Sequence, residues 1–198
     1  MWALVESNNV TQVYTRPKAL TIGNVNYPSN IFMLWTSSEL EALGIYEIVI
    51  DNSNLKNKEY YINTDQSFAF SSGTVTATYG TATAIAIADT LYTAQDETDG
   101  LGTEGEVKTV GLKTAHKSKI NSQAAGLLQG TDWMIIRAAD GGTAVPSSIT
   151  TKRAAVRTKA NSMCAQIDGA ANVEALIALY TYNSETPRVR PLGELPTV

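Results

Sequence analysis

One histidine, one cysteine and no long apolar run: these shortages narrow the functions open to this 198-residue chain more than any motif does. With His116 alone, no histidine-based metal cluster can form, and with Cys164 alone there is neither an intrachain disulfide nor a pair of thiolate ligands. Such cysteine usage fits a reducing cytoplasm or a scaffold that needs no staples. Lysine and arginine number 15 against 19 aspartate and glutamate, so the chain lacks the basic footprint that displaces counterions from phosphate. No nucleic-acid partner is expected. A membrane partner is not expected either, because no stretch approaches the roughly 20 apolar residues of a spanning helix. The opening "MWALVESNNV" has no basic segment before an apolar run, which predicts no secretory leader.

What is present divides the chain by pattern. Hydrophobic residues make up 43%, enough to build a core. Over residues 1–80, short alternating segments are separated by Asn, Gly and Ser. "WALVES" and "VTQVY" flank Asn8-Asn9, and "ALTI" and "VNY" flank Gly23-Asn24, both hairpin signals. Thr36 and Glu39 have the spacing of a capping box at the start of a short helix, and Gly44 supplies a left-handed stop. "IYEIVID", "EYYINT", "SFAFSS" and "TVTATY" then read as strands. A small antiparallel β domain is predicted here. Residues 81–106 read as a connecting segment with an acidic, glycine-bearing linker, "DETDGLGTEGE". Residues 107–182 read as a helical domain, a hairpin or bundle, with a helix end at Gly130. Residues 183–198, rich in proline, show no core pattern and read as an extended tail, either an arm for a partner or a loose terminus. The class predicted is α+β.

A search for catalytic groups finds little. His116 lies in the lysine-rich "KTAHKSK" and reads as a surface histidine rather than the base of a triad. Cys164 in "NSMCAQID" falls on an apolar helical stripe and reads as core rather than nucleophile. The acidic segment misses the spacing of a calcium loop, and the glycines lack the lysine of a phosphate loop. No catalytic residue, metal ligand or cofactor site is predicted. Phe68 and Phe70 fall on one face of a strand and read as core. Tyr60 and Tyr61 point to opposite faces, so one of them is the best-placed surface aromatic for stacking on a ligand such as a glycan.

Residues 130–161, "GTDWMIIRAADGGTAVPSSITTKRAAVRTKAN", concentrate the remaining chemistry. Thr131 and Asp132 suit a helix start, where a carboxylate meets the positive end of the helix dipole. Trp133, Ile136 and Arg137 then share a face. After the turn "DGGTAVP", Ile149, Arg153, Val156, Ala160, Met163/Cys164 and Ile167 follow spacings of three and four, a heptad-like stripe. An arginine within such a stripe covers the seam with its stem and sends its head to a carboxylate or a helix end. Trp133 is expected between antiparallel helices, where its full burial would make Trp133→Ala cost about 3–5 kcal/mol. The other reading is a basic surface of Lys152, Arg153, Arg157 and Lys159. Asn172 suits the cap of a last helix carrying Val173, Leu176, Ile177 and Tyr180 on one face.

The stretch resembles the C-terminal signature of tailed-phage tail-fibre assembly proteins. That signature has a Thr-Asp-Trp start, an arginine four residues after the tryptophan, a proline-bearing turn, and a helix with two spaced arginines. Thr131, Asp132, Trp133, Arg137, Pro146, Arg153, Val156 and Arg157 occupy those positions. Lys152 stands where the family often has an aromatic, and Ser147-Ser148 where an acid is common. The N-terminal half, with "VNYPSNIFMLWTSSELEALGIYEIV", resembles N-terminal regions of phage tail structural proteins. The resemblance implies a non-enzymatic, fibre-associated protein that assists folding or trimerisation of a tail fibre. It would act in the host cytoplasm and in some members stay in the virion tail, with other tail or baseplate proteins as further partners. Alternatives are a permanent adaptor joining fibre to tail, and a fibre tip that binds a receptor through Tyr60 or Tyr61. The motif residues are implied to be structural.

Overall fold

The structure is a computed structural model and describes residues 1–197. Two compact units, Met1–Thr83 and Ala84–Val198, make up the chain, in the predicted α+β class.

The first unit is built on a five-stranded sheet. In chain order its elements are β1 (Trp2–Glu6), β2 (Asn9–Tyr14), β3 (Leu20–Ile22), β4 (Val25–Tyr27), α1 (Ile31–Leu34), α2 (Ser37–Glu41), β5 (Ile45–Asp51), β6 (Tyr61–Ile62), β7 (Gln66–Ser71) and β8 (Thr74–Tyr79). Sheet order is β2-β1-β5-β8-β7, with β3 and β4 forming a separate ribbon. Glu6 pairs with Asn9, so the first hairpin turns on Ser7-Asn8, both at positive φ, one residue earlier than predicted. The pairing is not purely antiparallel: β5 and β8 run parallel, Ile48 opposite Val75. Alternation along a strand reports which face is buried, not which neighbour it pairs with, so the parallel pair was invisible in the sequence.

Period-2 alternation serves two cores, one on each face. Leu4, Tyr14, Ile45 and Leu40 join Ile31 and Phe32 of α1, with Trp2 tilted on Phe32 at 4.9 Å between ring centroids. Opposite them Ala3, Ile48, Val75 and Ala77 pack with Val13, Phe68, Phe70 and Tyr46. The predicted capping box is present: Thr36 Oγ1 accepts from the Glu39 N–H, and Glu39 Oε2 accepts from the Thr36 N–H at 2.7 Å. Gly44 ends this helical segment at φ +78, and a Cβ there would stand 2.7 Å from the Val5 carbonyl. Positive φ and close approach together require glycine at that position.

β9 (Thr83–Ala84) crosses the boundary between the units. After it come β10 (Thr90–Leu91), α3 (Ala94–Thr98), β11 (Val107–Thr109), α4 (Leu112–Ala139), α5 (Ser147–Gly169) and α6 (Val173–Tyr180). The acidic segment expected as a linker is instead a folded lobe. β10 and β11 pair around α3, and the Tyr92 N–H donates to the Glu106 carbonyl at 2.9 Å. A Thr93/Asp96 capping box, unread in the sequence because acids of the linker masked it, starts α3. The lobe is rooted on the first turn of α4: the Gly111 N–H donates to Asp89 Oδ1 (2.7 Å) and Thr114 Oγ1 to Asp89 Oδ2 (2.9 Å).

Asp96 accepts from Lys108 Nζ at 2.6 Å and from the Thr93 N–H and hydroxyl. The lysine above all, then the threonine, holds this carboxyl down at about 2, from 3.8. A carboxyl depressed by folding stabilises the fold above its unfolded pKa, and that contribution is lost as pH falls through the folded value. The lobe is therefore expected to loosen between pH 3.8 and about 2. Amide exchange at Thr93 and Asp96 should rise across that window in the wild type and show no such step in Asp96→Asn. An equal step in both proteins would remove Asp96 as the cause.

The helices α4 and α5 form an antiparallel hairpin, and α6 with the C-terminal residues covers its base. Leu112, Ile120 and Ala124 of α4 face Val156, Ala160, Met163 and Ile167 of α5 and Val173 and Leu176 of α6, all buried. Asn172 caps α6 as expected, its Oδ1 accepting from the Ala175 N–H. The segment expected as an extended tail is packed. Leu192 is fully buried, its N–H donates to the Leu179 carbonyl, and its own carbonyl accepts from Lys159 Nζ at 2.8 Å.

Candidate functional site

The distal half of the helical hairpin, residues 128–157, brings the motif residues together, though not as their spacing suggested. No helix starts at Thr131-Asp132, because α4 runs unbroken through Gly130. Glycine inside a helix costs about 1 kcal/mol, a cost the packing of a long helix absorbs. Instead of accepting as a cap, Thr131 Oγ1 donates back to the Leu128 carbonyl at 3.0 Å. The continuing spacing of Ala124, Leu127, Thr131, Met134 and Ala138 was the signal that the helix does not stop.

Arg153 crosses from α5 to this turn of α4. Only 8% of the residue is exposed. Its Nη1 donates to the Leu128 carbonyl (2.7 Å) and to Thr131 Oγ1, and its Nη2 to Asp132 Oδ1 (2.7 Å). The guanidinium thus fastens two helices through three acceptors lying within one turn and a half. The Asp132 side chain is half exposed and orients the head from the solvent side. Val156, one turn on from Arg153, is fully buried. Arg157 is exposed, and Pro146 initiates α5, its carbonyl accepting from the Ile149 and Thr150 N–H groups. The alternative basic surface does not form as one patch: Arg153 is buried and Lys159 reaches the Leu192 carbonyl.

Trp133 is not between the helices. It is 53% exposed, with the Arg137 guanidinium lying over its ring at 4.8 Å. The hairpin seam follows Thr131, Met134 and Ala138, all half-buried, which places Trp133 outside it, with Ile135 and Ile136 exposed as well. Loss of the Trp133 ring therefore removes mainly a surface cation–π contact, worth about 0.5–1 kcal/mol, not a core residue.

The other expected positions divide. His116 is buried, not at the surface, and stacks on Tyr180 at 4.8 Å between centroids. Its burial follows from the i, i+4 row Leu112, His116, Ile120 and Ala124, a row the flanking lysines hid. Cys164 is half-buried with Sγ 3.7 Å from Asn121 Oδ1, and burial pushes its thiol up, away from the reactive thiolate. Tyr60 is buried and gives no binding surface. Tyr61 is half-buried and lines an open cleft with Lys58, Asn63, Asp65 and Tyr79. Among the described residues no group of three or more His, Cys, Asp or Glu side chains could hold a metal ion, and no helix is long and apolar enough to cross a membrane.

The two-helix end, cross-linked by Arg153, presents the Trp133 indole, Ile135, Ile136 and Arg157 to solvent. Compared with protein-family models, with curated proteins and with solved structures, the chain matches none.

Proposed function

We propose that this chain is a non-enzymatic protein of a phage tail that assists assembly of the tail fibre and can remain on it. The observation that carries the reading is the eight-residue correspondence from Thr131 to Arg157 with the tail-fibre assembly signature. Its geometry supports a division of labour. Arg153, Asp132, Thr131 and Val156 hold the hairpin together, whereas Trp133 and Arg157 are exposed and half-buried Arg137 lies over the Trp133 ring. Exposed tryptophan and arginine are the side chains most enriched at binding hot spots. The fibre is the partner proposed for them.

Co-expression of a candidate fibre with and without this chain tests the reading. Soluble, trimeric fibre is expected to increase with the wild type and to co-purify with it. Trp133→Ala should lose most of that effect while its own melting temperature stays nearly unchanged, since a surface position shifts stability by only about 0.5–1 kcal/mol. Fibre solubility, trimerisation and co-purification that are all indifferent to the wild-type chain would end the proposal. The adaptor alternative differs only in permanence, and stoichiometric presence in purified particles would favour it. Tyr61 at its cleft keeps a receptor-binding reading testable: Tyr61→Ala should reduce glycan binding under that reading alone.

A further inference from the structure

Two surfaces of the second unit carry opposite charge around exposed apolar side chains. The lobe, residues 89–110, holds six carboxylates against one lysine, with Leu101 60% and Val107 49% exposed. At the hairpin end, residues 130–160, Arg153 is buried on Asp132 and Lys159 reaches the Leu192 carbonyl, which leaves Arg137, Lys152 and Arg157 against Asp140, with Trp133 53% and Ile136 68% exposed. Internal pairing leaves each imbalance standing: Lys108 is engaged by Asp96, and Asp132 by Arg153.

The root of the lobe and the hairpin end lie at opposite ends of α4. Asp89 binds Gly111 and Thr114 at its first turn, and Trp133 lies 21 residues past Leu112 in the same unbroken helix. At 1.5 Å per residue the two are separated by roughly 32 Å. One copy cannot bring its own hairpin end to the root of its own lobe.

We propose that a second copy of this chain does so. Two chains pair side by side with their α4 helices antiparallel, each hairpin end lying on the other's lobe. In a two-fold pair every contact occurs twice, so both apolar patches are covered and both charge imbalances are met at once. Parallel pairing would instead set Arg137, Lys152 and Arg157 against their own copies, and like-charge juxtaposition is unfavourable. Apolar burial supplies the drive, and the charges select the antiparallel direction. The pairing uses the same Trp133 end that the fibre reading assigns to the fibre, so it describes the chain free of fibre.

Sedimentation equilibrium of the full chain is expected to give twice 21.2 kDa at low salt, with dissociation increasing as added salt screens the attraction. Reversing the lobe with Glu104→Lys and Glu106→Lys should weaken association by about tenfold or more, as should reversing the hairpin with Lys152→Glu and Arg157→Glu. An equimolar mixture of the two variants should regain the dimer, because reversed lobe meets reversed hairpin on one side and the unaltered pair meets on the other. Circular dichroism of each variant establishes that it is folded. A wild type that stays at 21.2 kDa up to about 100 µM overturns the proposal, as does a mixture of folded variants that stays monomeric. So does a trimer, which no two-fold pair can give. Should a reversed variant fail to fold, a wild-type dimer indifferent to salt would overturn it equally.

Discussion

Arg153→Ala is expected to lower the stability of the helical unit by about 3 kcal/mol, although it alters a charged residue of a kind usually found on surfaces. Two effects add. The guanidinium makes charge-assisted bonds to the Leu128 carbonyl, Thr131 Oγ1 and Asp132 Oδ1, and a bond to a charged group is worth about 1.5–3 kcal/mol net. Asp132 is half exposed, so its share is screened and belongs at the low end. The stem also fills the seam beside Val156, and truncation opens space there. Arg153→Met separates the two contributions. It keeps most of the stem and removes the head, and is expected to recover roughly half of the loss. Urea unfolding followed by helical circular dichroism reads both variants, since α4, α5 and α6 supply most of the helix. An Arg153→Ala midpoint equal to the wild type would mean that the hairpin holds without this bridge.

Leu192→Ala is expected to cost about 2–4 kcal/mol, as much as a change in the middle of a helix core. Leu192 is fully buried although it lies in the proline-bearing segment past α6. Around it the tail is tied repeatedly. Arg190 binds Glu194 at 2.8 Å and lies near the rings of Tyr180 and Tyr182, and the Tyr182 hydroxyl donates to Glu194 at 2.6 Å. That hydroxyl, and then Arg190, hold the Glu194 carboxyl below the usual range. Val189, 55% exposed in the same segment, is the control: Val189→Ala should stay within about 0.5 kcal/mol. Equal melting temperatures for Leu192→Ala and Val189→Ala would show that the tail contributes no core.

Particular residues show where sequence patterns carried through and where they stopped. The Thr36/Glu39 box, the Gly44 stop, the Asn172 cap and the stripe from Arg153 to Ile167 are all local signals, decided within one or two turns of chain. Each appears where its spacing placed it. Trp133 failed for the opposite reason. Its placement depended on where the seam crosses α4, and that depends on Gly130 being inside the helix rather than at its end. Leu192 had no periodic neighbours, so a single apolar residue among prolines carried no signal of burial. His116 was masked by the lysines around it, and the acidic lobe by a composition that usually means solvated loop.

By itself the sequence determined the α+β class, the order of strands before helices, the principal caps, and the lack of histidine and thiol partners for catalysis. It also carried the resemblance on which the proposed function rests. Only the tertiary structure decided that β5 and β8 run parallel, that Arg153 reaches the Leu128–Asp132 turn, that Trp133 lies outside the seam, and that the tail closes the helical core. Periodicity tells which side of an element avoids water, because that depends on neighbours three, four or two residues away. Which element then covers that side depends on contacts such as Arg153 with Leu128, or Leu192 with Leu179, that lie far apart in the chain and leave no spacing to read.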